Sequence, residues 1–335
     1  MAIPNLFLIG SMRSGTTYLS ELLGAHPAVF MSSPKELCHF VDGKALRRAW
    51  PHMWLQGYWR DVDKYLEVFA DAGNAPVVGE ASIAYSQAPM LVGVPARILA
   101  FNPSARFIYI MRDPIERTIS HYWHQVRWSS ERRPMLEAIR SDPQYTDVSH
   151  YARQLKEYLG HVGLERIYVL TYEALLANTT GELRRLYAWL GVDPDFEPRR
   201  SGIPANERPE VIHQTHSFGV LDRLGLIDRL RRTSMYIRIS PRIPNAVRRL
   251  IARFTAHPVR PDDVPVADVR AFLRPRQHRE TEELSALLGR SFPEWLTLHA
   301  GPVCRCTPVA QRAASFGSAA AAFARSRRPP PIGSS

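Results

Sequence analysis

Cysteine is nearly missing from this chain: Cys38, Cys304 and Cys306 are the only three in 335 residues. An odd number without a framework of spacings excludes a disulfide scaffold and fits a reducing compartment. Cys304-x-Cys306 has neither the second cysteine pair nor the histidines that a zinc site needs, so no metal is expected. No apolar run approaches the roughly 20 residues of a membrane-spanning helix. Met1 leads almost directly into an apolar strand pattern, without a basic-then-apolar leader, and the expectation is a cytoplasmic protein. Acidic residues are the minority, 32 against 43 basic, for a formal net charge of +11. That balance suits a nucleotide with several phosphates, nucleic acid or an anionic membrane alike. Near the end, Arg305, Arg312, Arg325, Arg327 and Arg328 have no acidic neighbours, and alanine, serine and Pro329-Pro330-Pro331 complete a low-complexity stretch. Residues 301–335 are therefore expected to be a disordered tail behind a domain spanning 1–300.

What is present in quantity is apolar surface. Hydrophobic residues make up 45% and aromatics 10% of a length that allows one large α/β domain or two small ones. The most informative stretch is Leu6 to Leu23. Leu6, Phe7, Leu8 and Ile9 form a short, continuously apolar run, the pattern of a parallel strand covered on both faces. Gly10 breaks the run, Gly15 lets backbone approach a ligand closely, and Thr16, Thr17, Leu19, Leu22 and Leu23 open a helix that Gly24 and Pro27 end. Such a helix start aims free N–H groups and a positive dipole end at one point, where a phosphate or sulfate is well held.

The spacing G-x-x-x-x-G-T-T departs from the nucleoside-triphosphate loop G-x-x-x-x-G-K-[ST] at one place: Thr16 stands where the phosphate-binding lysine would be, and the cation is displaced to Arg13. Arg13 followed by Ser14-Gly15-Thr16-Thr17 resembles the 5′-phosphosulfate loop of the sulfotransferases that use 3′-phosphoadenosine 5′-phosphosulfate (PAPS), most closely the bacterial members and the heparan sulfate branch. Further along, Phe107 to Met111 reads as a second apolar strand that delivers Arg112 at its carboxyl end. Asp113 as N-cap, Pro114 at the first helical position and Glu116 three residues after the cap predict a helix opened by a capping box. RDPIERTISHYWH is similar to the family's 3′-phosphate motif R-[DN]-P-x-E-R-x-x-S-x-Y at nearly every position. The resemblance implies that Arg112 and Ser120 hold the donor's 3′-phosphate, while Arg13, Ser14, Gly15, Thr16 and Thr17 bind its 5′-phosphosulfate.

Between the two motifs, Lys35, Glu36, His39, Phe40 and Asp42 resemble the K-E-x-H-F-F-D segment that supplies the catalytic base in heparan-type members, with one extra residue between glutamate and histidine. Glu36, Arg13 and His39 are accordingly the catalytic candidates. Glu80-Ala81-Ser82 through Tyr85 resembles the family's G-E-x-S-x-x-Y segment, and Glu80 reads equally as a structural carboxylate paired with an arginine. Residues 43 to 76 are rich in Trp and Tyr and poor in periodicity, and are expected on the acceptor side. Ile167 to Leu170 predicts a third core strand, continuing into Thr171-Tyr172-Glu173. HYARQLKEYL and the run from Glu182 to Leu190 predict amphipathic helices, and Thr281 to Leu288 with Phe292 and Trp295 resembles the closing helix of bacterial members. Asn206, Arg208, Arg199 and Arg200 are weaker donor-loop candidates. The arginine-rich segment 229–253 suits either a solvated face or a membrane surface.

Strands alternating with helices predict a doubly wound parallel α/β sheet, helices on both faces, with a P-loop-like strand-loop-helix at its start and ligands at the strands' carboxyl edge. The resemblance implies sulfuryl transfer from PAPS to a hydroxyl or amine of a sugar-containing acceptor, without nucleic acid, with membrane-surface contact left open. Two readings stand beside it: a P-loop nucleotide kinase, against which Thr16 argues, and a non-catalytic nucleotide or polyanion binder, which the net charge alone would also fit.

Overall fold

The computed structural model describes residues 2–128, 131–198, 212–215 and 256–300. Five parallel strands form the central sheet: β1 (Leu6–Gly10), β2 (Val29–Met31), β3 (Val77–Ala81), β4 (Arg106–Met111) and β5 (Ile167–Thr171), in the order β2-β3-β1-β4-β5. A separate antiparallel pair joins β6 (Ile212–Thr215) to β7 (Ala256–Val259). The described helices, in chain order, are α1 (Thr16–Gly24), α2 (Gly43–Ala49), α3 (Pro51–Gln56), α4 (Val62–Glu67), α5 (Val94–Phe101), α6 (Pro114–Trp128) and α7 (Met135–Ser141). They continue with α8 (Gln144–Asp147), α9 (Tyr151–Leu159), α10 (Tyr172–Ala177), α11 (Thr179–Leu190), α12 (Ala267–Leu288) and α13 (Leu296–His299). The chain divides into Met1–His299 and Ala300–Ser335. The arginine-rich segment, the loop candidates Arg199, Arg200, Asn206 and Arg208, and the tail with Cys304 and Cys306 lie outside the described residues.

Successive residues of a strand point to opposite faces, so a strand buried on both sides must be apolar throughout. β1 and β4 meet that demand. Phe7, Ile9, Phe107, Tyr109 and Met111 join the core on one face, whereas Leu6, Leu8, Ile108 and Ile110 join the core on the other. Leucines of α1 and α11 cover the second face, and residues of α5, α6, α9 and α12 cover the first. β1 lies at the centre, pairing Phe7 with Glu80 of β3 and with Phe107 of β4. Its two neighbours are reached by chain running to opposite sides, which makes the carboxyl end of β1 the switch point where such sheets bind ligands.

Two local expectations change. Asp113 caps α6 through Oδ1, which accepts from the Ile115 and Glu116 amides at 3.0 and 3.3 Å, but no capping box closes. The Asp113 amide donates instead to Glu173 (2.9 Å), and the Glu116 carboxylate turns to Arg270 (2.9 Å) and Thr297 (3.1 Å). Tertiary partners on α10, α12 and α13 have outcompeted the local loop. Asp113 Oδ2 also accepts from the Thr297 and Leu298 amides, and so pins α13 to the start of α6. Second, residues 43 to 76 are not irregular. They hold α2, α3 and α4, the first and last capped by Asp42 and Asp61, whose carboxylates accept from Ala45 and Lys64 amides at 2.9 Å. These helices run only six or seven residues, too short to print a helical period on the sequence.

Candidate active site

The loop after β1 is shaped by its glycines and by neighbours far away in sequence. Gly15 has φ 86°, and a Cβ there would meet the Tyr172 ring at 2.5 Å. Gly10 has φ 147°, and a Cβ there would meet Ser86 Oγ at 2.0 Å. Only glycine fits both the conformation and the space. Gly15 is also the N-cap of α1, and no side chain caps that helix. Its positive dipole end therefore stays available to an anion. Ser14 is fully buried, with its hydroxyl 2.6 Å from that of Ser11, and braces the loop internally. Thr16 is buried at the start of α1, while the half-buried Thr17 accepts from Lys35 Nζ at 3.1 Å.

Arg13 takes the left-handed conformation, φ 69°. From there its Nε reaches Ser120 Oγ, at 3.1 Å, across 107 residues of chain. The phosphosulfate-type loop and the 3′-phosphate-type helix α6 thus form one site. Arg112, at the end of β4, lies with its guanidinium 5.4 Å from the centre of the Tyr172 ring. Tyr172 therefore touches both halves, packing on Gly15 and lying under Arg112. Among the described residues, neither Arg13 nor Arg112 has a carboxylate within salt-bridge distance. Burial, with Arg112 and Arg127 nearby, lowers the pKa of Arg13. Arg13 and Arg127 add to burial in holding His124 down to about 4, one helical turn beyond Ser120. Beneath them Arg117 is wholly buried on Ser149, Thr118 and the Tyr145 carbonyl, and burial lowers it to about 10. Positive charge gathered this closely favours an anion beside it.

Glu36 follows β2 and is fastened to the end of β3. Its amide donates to the Ala81 carbonyl and its Oε2 accepts from the Ile83 amide, both at 2.9 Å. Burial raises its pKa to about 7, against the opposing effects of Lys35 and the Ile83 amide, with Glu80 adding to the rise. Arg13, Glu36 and Cys38 are the non-glycine residues with positive φ among the described residues. Two of the three catalytic candidates thus stand on backbone that must be held in place from outside. Lys35 links the two sides of the site, since it bonds Thr17 of α1 and lies beside Glu36 in the chain.

His39 is placed differently. Its ring stacks on Tyr65, with centroids 4.1 Å apart at 11°, and Nδ1 donates to the Tyr58 carbonyl at 2.5 Å. Burial lowers its pKa, and its contacts are those of a packed aromatic residue. Among the described residues, Glu80 has no arginine partner. Its carboxylate accepts from the hydroxyls of Tyr65, Ser82 and Tyr85 at 2.6, 2.7 and 2.6 Å. Two site residues escaped the sequence as functional candidates. Lys35 was legible, standing next to Glu36. Tyr172 was visible only as the tyrosine ending a strand, because its role depends on two partners that the fold delivers. A cavity of about 290 Å³ lies away from the loop, lined by Gln87, Met90, Asp142, Gln144 and Val148 among others, and none of the site candidates lines it.

With that geometry in place, the relatives are informative. The Sulfotransferase family model matches residues 4–198, which carry every element of the site. The membrane-associated sulfotransferase kil1 of Dictyostelium discoideum is 30% identical over 138 residues, 41% of this chain and 26% of that protein. Heparan sulfate glucosamine 3-O-sulfotransferase 3B1 of Mus musculus is 25% identical over 236 residues, 65% of this chain and 55% of that protein. The chain thus spans about a quarter to about half of the length of these relatives. The crystal structure of a sulfotransferase from Alicyclobacillus acidocaldarius superposes with a TM-score of 0.60 over 88% of this chain and 99% of that one; at 23% identity it shows the shared fold. The family match runs over more than half of the chain and over both the loop after β1 and the start of α6, and the protein belongs to the sulfotransferase family.

Proposed function

We propose that this protein transfers a sulfuryl group from PAPS to a hydroxyl or amine of a glycan or glycosylated acceptor. The observation that carries the reading is the cationic centre built from Arg13, Ser120 and Arg112 at the switch point of the sheet, with Glu36 in the turn fastened to the end of β3. The residues present fit the donor: a glycine-bounded loop without a side-chain cap for the phosphosulfate, and arginines that, among the described residues, have no carboxylate within salt-bridge distance, for its phosphates. When bound, the donor supplies an activated sulfuryl group with a phosphate as leaving group.

Arg13, the amides opening α1 and Thr17 are assigned to the 5′-phosphosulfate, with Thr16 shaping the start of the helix and Ser14 the loop. Arg13 stabilises negative charge building on the leaving phosphate. Arg112 and Ser120 are assigned to the 3′-phosphate, where a guanidinium can grip two oxygens at once. Glu36 accepts the acceptor's proton as general base, and a pKa near 7 places it close to the most effective range for that work. His39 is assigned a packing role under Tyr65 rather than the base. The heparan sulfate relatives support a sugar-containing acceptor. The scarcity of cysteine supports a cytoplasmic location, and composition supports a domain of 1–300 followed by a tail. Incubation with sulfur-labelled PAPS and a panel of glycan, lipid and phenolic acceptors tests the reaction. Label transferred to a glycan is the expected result; tight binding of 3′-phosphoadenosine 5′-phosphate without transfer to any acceptor would favour a non-catalytic binder.

A further inference from the structure

The acid that this chemistry leaves unused is Glu80. It lies within β3, beside Phe7 of the central strand, and is fully buried. A buried carboxylate is ordinarily matched by a cation, because removing a charge from water costs several kcal/mol. Here, among the described residues, no cation stands within salt-bridge distance, and three hydroxyls from α4 and from the segment after β3 do the matching. Three O–H donors aimed at one carboxylate hold it in a single position and favour its charged form against the opposing effect of burial.

The same hydroxyls reach the turn that carries Glu36. Ser82 donates to Glu80 and accepts from the Cys38 amide at 3.3 Å. Tyr65 donates to Glu80 and stacks on His39. The turn from Glu36 (φ 62°) to Cys38 (φ 54°) is left-handed at both ends, a conformation that persists only where the surroundings impose it. Its pins are the Ala81 carbonyl on the Glu36 amide, Ser82 Oγ on the Cys38 amide and the Ile83 amide on the Glu36 carboxylate, which are the three residues next after Glu80.

We propose that Glu80 is a positioning residue for Glu36: through Ser82 it holds the turn on which the base stands, and it faces that base with a second, fixed carboxylate. The proposal rests on the reading of Glu36 as general base. Glu36 is faced by Lys35 from its own turn, by Glu80 from β3 and by the Ile83 amide. Glu80 is faced by Tyr65 from α4, by Tyr85 and Ser82 beyond β3, and more remotely by Glu36, the Cys38 thiol and Tyr158. Lys35 and the amide favour an ionised Glu36; burial and Glu80 favour a protonated one.

The test uses the full chain carrying ¹³C-labelled glutamate, with Glu36→Gln to assign the Glu36 carboxyl resonance, and its titration followed in wild type, Glu80→Gln and Ser82→Ala. In Glu80→Gln the Glu36 midpoint is expected to fall by roughly one pH unit, since a like charge has gone. In Ser82→Ala, transfer of label from PAPS is expected to fall about tenfold in kcat with KM for the donor within twofold. A midpoint unmoved in Glu80→Gln, or a Ser82→Ala enzyme with native kcat, overturns the proposal. Should Glu80→Gln not fold, Tyr85→Phe removes one of the three donors, and a smaller shift in the same direction is expected; no shift there also overturns it. Failure of the underlying base assignment shows separately, as near-native transfer by Glu36→Gln.

Discussion

The two sides of the site solve the problem of buried charge in opposite ways. On the side of β1 and β4, Arg13 reaches Ser120 and lies near Arg112, and among the described residues neither arginine has a carboxylate within salt-bridge distance. On the side of β2 and β3, Glu36 and Glu80 lie close together, and the protein itself supplies every partner: an amide for one, three hydroxyls for the other. Under the proposed function, the donor completes the first side and the second holds the proton acceptor. Lys35 joins them, bonded to Thr17 on one side and adjacent to Glu36 on the other.

The difference is broken most severely at Glu36. Glu36→Gln keeps the shape of the side chain and its contact with the Ile83 amide, but removes proton abstraction. Sulfuryl transfer is expected to fall by at least about 100-fold, the lower end of what general-base catalysis contributes, while affinity for 3′-phosphoadenosine 5′-phosphate changes by less than about threefold. His39→Ala is the companion variant. It disturbs a ring stack rather than a proton path, and is expected to keep far more turnover than Glu36→Gln; the reverse order would move the base to His39.

Removing one cation from the other side should do the opposite, weakening binding before chemistry. Arg112→Ala is expected to weaken 3′-phosphoadenosine 5′-phosphate by about tenfold to a few hundred-fold in calorimetry, from a charge-assisted contact of roughly 1.5–3 kcal/mol. Adenosine 5′-phosphosulfate has no 3′-phosphate, and its affinity should change little. Equal losses for both ligands would show that Arg112 does not read that phosphate.

The two sides also differ in how far the sequence disclosed them. Arg13, Arg112 and Ser120 stand in contiguous motifs whose spacing follows from a strand ending and a helix starting, so local pattern was enough to find them. Strands β1, β4 and β5 were legible for a related reason: a strand covered on both faces is apolar along most of its length. The environment of Glu36 was not legible. Its pKa and its strained turn depend on Ile83, Ser82 and Glu80, more than forty positions away, and on a Tyr65 that the sequence offered only as one aromatic among several. Glu116 teaches the same lesson in reverse, since a perfectly spaced capping box gave way to Arg270 and Thr297, which only the closed fold brings near.

The pH dependence separates the sides further. A base with a pKa of about 7 works only when ionised, so kcat is expected to rise with pH through about 7 and to level off above it. Affinity for 3′-phosphoadenosine 5′-phosphate depends mainly on arginines that stay charged over that range, and calorimetry between pH 6 and 8 should show a much flatter profile. A binding profile as steep as that of kcat would mean that a group titrating near 7, such as Glu36, controls donor binding as well as turnover.

The smallest expected effect is on stability, and its sign follows from the direction in which Glu36 is shifted. A carboxyl whose pKa is 4.5 in the unfolded chain and about 7 in the folded one binds more protons when folded. Between those values the unfolded state loses its proton first, so stability falls as pH rises through that window, and above about 7 the full penalty of an ionised, buried Glu36 is present. Glu36→Gln removes the ionisation while keeping the side-chain oxygen that accepts from Ile83. Its melting temperature is therefore expected to exceed that of wild type by a few degrees at pH 8, with the gain shrinking towards zero at pH 5, where wild-type Glu36 is protonated in the folded protein. Thermal unfolding followed by circular dichroism at the two pH values measures the difference directly. A variant less stable than wild type at pH 8 would mean that the carboxylate is better matched by Lys35 than by its burial, and that Glu36 is held ionised for structure rather than kept near neutrality for catalysis.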